Sequence, residues 1–328
     1  MITNKQKNTN LLEKFINKRR LAPSTARTYI SAVKDYESFN KMSIEELIEE
    51  ADMEEEQNIR MKRRRIKDRL EDYLIFNLNL KKLSNSSSVK YHNLILTIYR
   101  HFEIEVPYLQ KPNVKKDYHK TYEDIPKAQH IRKALDECKS LDEQSILLFM
   151  SSSGTAKNET LHLTVKDFFN ATREYHDNNM IIGDMLDGLS NIDRESIVPL
   201  FTLIRIKKDY LYYTCCSPDA SNLLISSLTN RYNNNRLKLD DKLFDITNRQ
   251  FEYMFKRINN LYKWGKVGFS DFFHSHALRH YHGTMIGDKS LVDALQGRKR
   301  DHITETYIKH DPFKIKEEYL KVMHKVIV

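Results

Sequence analysis

The 328-residue sequence contains little of several residue types that shape a fold. Its three cysteines, Cys138, Cys215 and Cys216, are too few and too badly spaced for a disulfide framework or a zinc site, so we expect reduced thiols and a cytoplasmic protein. No apolar run reaches the roughly 18 residues of a membrane span, and the polar first ten residues lead us to expect no signal peptide. With 8 glycines and 7 prolines, the chain has few sites for tight turns, which favours a largely helical protein.

Basic residues are in excess. The chain has 54 Lys and Arg against 45 Asp and Glu, a net charge of +9 and a pI of about 9.1, which indicates an acidic partner such as nucleic acid. Residues 1–120 hold 24 basic against 17 acidic side chains, whereas the remainder holds 30 against 28. We therefore expect the first third to make the stronger electrostatic contact with DNA.

The first hundred residues predict a small bundle of helices. Apolar residues recur at helical spacing over 10–18, 21–39, 42–51, 54–77 and 88–102, with a polar turn at 85–88. Ser43 and Glu46 have the spacing of a capping box. The segment 107–120, which contains two prolines and four lysines, has little periodicity and predicts an extended linker able to follow DNA.

Two features of this bundle are candidate contacts to a phosphate backbone. One is the polar face of the 21–39 helix and the other is a run of basic residues in the 54–77 helix; both patterns are equally typical of a solvated helix face. The linker adds two lysines. The candidate DNA-binding residues are Ser24, Thr25, Arg27, Arg63, Arg64, Arg65, Lys115 and Lys116.

The second part of the chain predicts helices around one β-hairpin. Helical patterns cover about 122–139, 158–163, 218–231 and 248–261, and an amphipathic tail covers 313–328. The β-branched and aromatic stretch 197–214 is interrupted by Lys207, Lys208 and Asp209, which predicts two strands joined at that break.

The stretch 273–312 carries the residues with the clearest chemical meaning. His276 and Arg279 stand three residues apart, so on a helix both side chains face the same side and can bind one small anion, most plausibly a phosphate. A tyrosine hydroxyl such as that of Tyr307 can act as a covalent nucleophile. The alternative is that the histidines are solvated or capping residues and Tyr307 is one of 18 tyrosines without a special role.

The strings HALRH and LQGR, with a tyrosine ten residues after Gly297, resemble the signature of the tyrosine recombinase (phage integrase) family. The LQGR form particularly resembles archaeal integrases, and LAPSTARTYISAVKDY near the N-terminus resembles the family's core-binding domain. The resemblance implies that His276 and Arg279 contact the scissile phosphate and that Tyr307 is the nucleophile. It also implies that Arg298, in the place of the family's third histidine or tryptophan, binds the phosphate.

The chain departs from the family where the first catalytic arginine is expected. In SSSGTAKNETLHL, the places that hold arginine in bacterial and archaeal members are occupied by Ala156 and Lys157, and we assign Lys157 to that role. An ammonium keeps the charge but loses the bidentate geometry of a guanidinium. By resemblance, Glu159 is the family's orienting acid, and Lys207, or alternatively Lys208, is the general acid on the hairpin.

The resemblance therefore implies a mainly α fold with a small β-sheet: a helical, SAM-like core-binding domain at 1–106, a linker at 107–120 and an α+β catalytic domain at 121–328. The expected function is site-specific recombination through a 3′-phosphotyrosine, without metal or other cofactor. Two alternatives remain open: a catalytically impaired DNA-binding relative, and an enzyme like type IB topoisomerases. The expected partners are double-stranded DNA, with no membrane, and further copies of the chain in a tetramer. The tail would dock on a neighbouring copy or, alternatively, on its own domain.

Overall fold

The computed structural model describes residues 11–110, 120–177, 179–205, 210–234, 236–298 and 311–328. The chain divides into two compact units, Met1–Asp117 and Tyr118–Val328, and this division falls inside the segment expected to be a linker. Five of the candidate residues lie outside the described residues: Lys115, Lys116, Lys207, its alternative Lys208, and Tyr307.

The first unit is a bundle of helices around an aromatic core. Tyr36, Tyr73 and Tyr99 are fully buried at its centre, where the hydroxyls of Tyr36 and Tyr99 lie 3.3 Å apart and the rings of Tyr36 and Tyr73 meet edge to face. The helices are α1 (Leu11–Lys18), α2 (Pro23–Asn40), α3 (Ile44–Glu56), α4 (Arg65–Asn79) and α5 (Asn85–His101).

The capping box predicted at Ser43 and Glu46 is present and starts α3. The single helix expected over 54–77 is wrong, because α3 ends at Glu56 and α4 begins only at Arg65. The carboxylate of Glu54 accepts a hydrogen bond from the backbone N–H of Arg65, which satisfies one of the free N–H groups at the start of α4. The expected turn at 85–88 is helical, since the Ser84 side chain caps α5 by accepting from the Ser87 N–H.

The second unit contains more helices and two small antiparallel hairpins. Its helices are α6 (Ala128–Asp136), α7 (Leu141–Ser153), α8 (Lys157–His162), α9 (Val165–Ala171), α10 (Ile182–Ser190), α11 (Pro218–Asn233), α12 (Asn248–Leu261), α13 (Ser275–Ile286), α14 (Lys289–Leu295) and α15 (Pro312–Val322). Its strands are β1 (Leu200–Arg205), β2 (Tyr210–Cys215), β3 (Lys266–Val267) and β4 (Ser270–Asp271). The hairpin predicted over 197–214 is β1 paired with β2, with Leu200 opposite Cys215 and Arg205 opposite Tyr210.

Helix α7 is the centre of this unit. Every residue from Ser145 to Ser153 is buried, because α11 and α13 pack along it and the β1–β2 hairpin also contacts it. Gly154 ends α7 in the left-handed conformation, with φ of +66°. A Cβ at this position would lie 2.5 Å from the ring of His282 on α13, so the residue without a side chain lets α7 and α13 approach closely.

The tail helix α15 packs on its own unit. The hydroxyl of Tyr319 donates to the carbonyl oxygen of Ser152 at 3.0 Å, Ile315 is buried in the same core, and Lys316 pairs with Glu174. Within a single chain, the tail helix therefore has a packing site on its own unit, which is the same-subunit alternative. Among the residues that the structure describes, no helix combines the length and apolar character needed to cross a membrane.

Candidate functional site

Arg279, in the middle of α13, is held by two parts of the chain that are distant in sequence. Its Nη1 donates to the carbonyl oxygen of Gly154 at 2.6 Å and its Nη2 donates to the carbonyl oxygen of Gln296 at 2.6 Å. The side chain is buried. These two bonds orient the guanidinium between the end of α7 and the turn after α14, and they leave its other N–H groups available for an anion.

The turn after α14 contains the LQGR string and is fixed from both sides. The side-chain amide of Gln296 donates to the carbonyl oxygen of Arg279 and lies 3.0 Å from Nδ1 of His282. Gly297 has φ of +56° and lies against the ring of Tyr212 on β2. Arg298 follows as an exposed residue whose Nη1 lies 3.6 Å from Oδ1 of Asp293.

The electrostatics of this region are those of a cationic pocket. Burial lowers the pKa of Arg279 to about 10, and the charges of Arg205 and Arg298 act in the same direction. Partial desolvation lowers the pKa of His276, with Arg279 the next largest cause, and desolvation together with His276 lowers the pKa of His280 to about 4. Because neighbouring cations destabilise one another here, a bound anion is stabilised by the same charges.

Two of the expected site residues are electrostatically coupled to Arg279: Arg298 lowers the pKa of Arg279, and both arginines lower the pKa of His276. Glu159, the expected orienting acid, joins them from α8. Its side chain is buried and its Oε1 lies 3.4 Å from Nη1 of Arg205.

Arg205 was not among the expected site residues, although it lies in the pocket. It follows Phe201 and Leu203 on the inward face of β1, where both apolar side chains are buried. An arginine at an inward-facing position of a strand is the signal in the sequence that could have identified it.

Lys157 faces another way. Its Nζ donates to Oε1 of Glu252 on α12 at 2.5 Å and lies 5.5 Å from the centre of the Phe251 ring. Each residue of a helix is rotated by about 100° from the one before it, so the side chains of residues i and i+2 point to nearly opposite sides. Since Glu159 faces Arg205, Lys157 on the same helix faces away from the pocket.

The candidate DNA-binding residues of the first unit divide into exposed and engaged side chains. Ser24, Thr25 and Arg27 at the start of α2 are exposed, as is Arg63. Arg64 is buried, with its Nη1 3.1 Å from Glu105 and 3.4 Å from Glu55. Arg65 forms ion pairs with Glu50 and Glu54.

These ion pairs leave Arg63 as the side chain of the triple arginine most available to a phosphate.

Within the part of the chain that the structure describes, no group of three or more His, Cys, Asp or Glu residues could hold a metal ion.

Comparison with known proteins relates the chain to recombinases through its fold. No family model matches the sequence, and no curated protein matches it. The XerH site-specific recombinase bound to palindromic difH substrate, a post-cleavage complex, superposes with a TM-score of 0.55 at 15% identity, over 93% of this chain and 82% of that one. The Tn1549 transposon integrase in complex with a circular intermediate DNA gives a TM-score of 0.52 at 13% identity, over 95% of this chain and 97% of that one.

The chain therefore has the fold of site-specific recombinases and integrases, along almost its whole length. This confirms the expected fold class, mainly helical with a small β component. It is also the fold implied by the resemblance of the HALR and LQGR strings to tyrosine recombinases.

Proposed function

We propose that this protein is a site-specific DNA recombinase that cuts and rejoins strands through a covalent phosphotyrosine. The observation that carries the proposal is the pocket around Arg279, whose guanidinium is oriented by two backbone carbonyls beside His276 and Arg298 on a recombinase fold. Tyr307 is the proposed nucleophile. It lies nine residues after Arg298, and nine extended residues span about 30 Å at most, so the chain is long enough to deliver the hydroxyl to the pocket.

In the proposed reaction the Tyr307 oxygen forms a bond to the scissile phosphorus as the bond from phosphorus to the 5′ oxygen breaks. The phenolic proton passes to solvent water, and the leaving 5′ oxygen takes a proton from Lys207, or alternatively Lys208, on the hairpin. Arg279, His276 and Arg298 stabilise the negative charge that builds up on the non-bridging oxygens. Glu159 orients the cationic groups around it.

Rejoining is the same reaction in reverse with a different 5′ hydroxyl. That hydroxyl attacks the phosphotyrosine, a new phosphodiester forms and the Tyr307 phenol is regenerated. One ester replaces another at each step, so the reaction needs no external source of energy.

The proposed partners are duplex DNA and further copies of the chain. Exposed residues of the first unit, Ser24, Thr25, Arg27 and Arg63, would contact phosphates, which hold the protein on DNA without identifying bases. Exchange between two duplexes requires four cleavages, and we therefore propose a tetramer on DNA.

A second candidate function is DNA binding without cleavage. It is favoured by one observation: Lys157, which stands where the family has an arginine, pairs with Glu252 and faces away from the pocket.

A suicide-substrate experiment tests the proposal. Nicked duplexes carrying junction sequences of the replicon that encodes the protein lose a short fragment after cleavage, so rejoining is blocked and the covalent complex accumulates. We expect the wild type to be trapped and Tyr307→Phe not to be, with the adduct mapped to Tyr307 by mass spectrometry. Tyr253→Phe, which changes an exposed tyrosine on α12, is the matched control and should trap normally.

Two other outcomes would contradict the proposal. If the wild type shifts these duplexes in a gel but neither protein is trapped, the chain is a DNA-binding relative. If the wild type is trapped through Tyr307 but relaxes supercoiled plasmids of unrelated sequence equally well, it acts as a topoisomerase.

A further inference from the structure

We propose that Arg205 binds the scissile phosphate, and that the β1–β2 hairpin thereby supplies the second guanidinium of the pocket. This inference rests on the proposed function and assigns a role in the reaction to a residue that was not among the expected site residues.

The first argument is position. Arg205 is the last residue of β1 and lies on the same face as the buried Phe201 and Leu203. Its Nη1 approaches Oε1 of Glu159 to 3.4 Å. The side chain thus enters the region between α8 and α13 that Arg279 occupies.

The second argument is unmet hydrogen-bonding capacity. Three polar atoms gathered here are buried without a well-formed hydrogen bond among the described residues: Nη1 of Arg205, Oε2 of Glu159 and the hydroxyl of Tyr212. Nη1 of Arg205 has only the 3.4 Å contact with Glu159, and the Tyr212 hydroxyl interacts with the Arg205 side chain. Glu159 is 7% exposed and Tyr212 is 3% exposed. Leaving such groups unpaired costs about 1–3 kcal/mol each, so this cluster has the character of a binding site and not of a closed core.

The third argument is charge. Arg205 pairs with the buried carboxylate of Glu159, whose charge also acts on Arg279, and the three side chains together have a net charge of +1. A phosphodiester carries one negative charge and offers two non-bridging oxygens, and guanidinium groups bind such oxygens in pairs. A single phosphodiester therefore neutralises the cluster and provides an acceptor for the free N–H groups of Arg205.

The fourth argument is that neither Ala156 nor Lys157, the two residues at the family's first arginine position, places a cation beside Glu159. Of the two residues in question, Lys157 is turned toward Glu252. Ala156 stands three residues before Glu159 and so shares its side of the chain, but it has only a methyl group. The long side chain of Arg205 reaches the pocket from the opposite wall, because β1 packs against α8.

The test compares cleavage rates on two substrates that differ at one atom. On a normal suicide duplex, we expect Arg205→Ala to slow single-turnover cleavage by about 100- to 1000-fold, as for removal of one donor to a developing oxyanion. Arg205→Lys keeps the charge without the fork and should lose at least about 10-fold. DNA affinity in a gel shift should remain near that of the wild type, and rates are compared below the thermal midpoint of each variant, since loss of the Glu159 partner lowers stability.

The second substrate carries a methylphosphonate at the scissile position, where a neutral methyl replaces one charged oxygen. An arginine that acts by stabilising that oxygen has much less to stabilise there, so the deficit of Arg205→Ala should shrink to within about 5-fold. A deficit of equal size on both substrates would show a purely structural role and overturn the inference.

The double variant Ala156→Arg with Arg205→Ala returns a guanidinium to the same pocket from α8. We expect the double variant to cleave at least about 10-fold faster than Arg205→Ala. Ala156→Arg alone, which still has Arg205, should not cleave faster than the wild type. Wild-type cleavage rates in Arg205→Ala, with trapping through Tyr307 intact, would overturn this inference and leave the proposed function standing. Failure of the wild type itself to be trapped would instead remove the proposed function.

Discussion

Gly297 lies so close to Tyr212 that a Cβ on the glycine would sit 2.6 Å from Cδ1 of the tyrosine ring. This contact joins the turn after α14 to strand β2, and both flank the guanidinium of Arg279. The glycine is required twice, because its φ of +56° is strained for any other residue and because the ring leaves no room for a side chain.

Gly297→Ala is therefore expected to destabilise the protein by about 2–5 kcal/mol, the sum of backbone strain and overpacking. Gly287→Ala is the matched control: Gly287 has φ of +78°, but a Cβ there would meet nothing within 4 Å, so only about 1 kcal/mol of strain is expected. Urea unfolding measures both. Equal losses in the two variants would show that the contact with Tyr212 does not matter.

His282 should make the protein sensitive to acid. Burial lowers its pKa to about 3, so between pH 6.5 and 3 the unfolded chain binds a proton that the folded chain does not. Stability from this group is complete above the unfolded pKa of about 6.5 and falls as the pH decreases, by about 3 kcal/mol at pH 4.

His282→Phe keeps an aromatic ring, somewhat larger than imidazole, but loses the contact with Gln296. We expect it to be about 1–2 kcal/mol less stable at pH 7 and to lose less stability between pH 6.5 and pH 4 than the wild type. Equilibrium unfolding across this range measures the difference, with the exposed His324→Gln as control. An unchanged slope in His282→Phe would contradict the assignment.

Lys157→Met tests whether Lys157 has the role of the family's first catalytic arginine, as the sequence predicts, or only forms an ion pair with Glu252. The ion pair with Glu252 is solvent-accessible, since the Glu252 side chain is 70% exposed, and such pairs contribute about 0–1 kcal/mol. We expect cleavage within about 3-fold of the wild type, against a loss of about 100-fold or more for Arg279→Ala. A loss in Lys157→Met comparable to that of Arg279→Ala would restore Lys157 to the catalytic role.

Arg63 and Arg64 are adjacent in sequence and should behave differently. Arg64→Ala removes a bond to the carbonyl oxygen of Ile59 and the pairing with Glu55 and Glu105, at an expected cost of about 2 kcal/mol in urea unfolding. Arg63→Ala removes an exposed side chain and should leave stability within about 0.5 kcal/mol.

For DNA binding we expect the reverse order. Arg63→Ala should weaken binding and reduce the slope of log K against log salt by about 1, because one phosphate contact is lost. Fluorescence anisotropy over a salt titration measures the slope. Unchanged affinity and slope in this variant would exclude Arg63 from the DNA contact.

Much of the fold follows from local patterns. The hairpin over 197–214 and the helix over 248–261 appear where alternation and helical periodicity predict them, since each pattern places apolar side chains on one face. The break between α3 and α4 was missed because it depends on Glu54 reaching the backbone of Arg65, which periodicity does not express.

For the site, spacing predicts that His276 and Arg279 act together, because residues three apart on one helix share a face, and the family resemblance adds Arg298; their roles remain predictions. Which other cations join them depends on packing between segments far apart in sequence. The rotation of α8 turns Lys157 toward Glu252, and the inward face of β1 brings Arg205 to Glu159. Chain order carries no information about such a meeting, since residues 159, 205 and 279 become neighbours only when α8, β1 and α13 bury their apolar faces together.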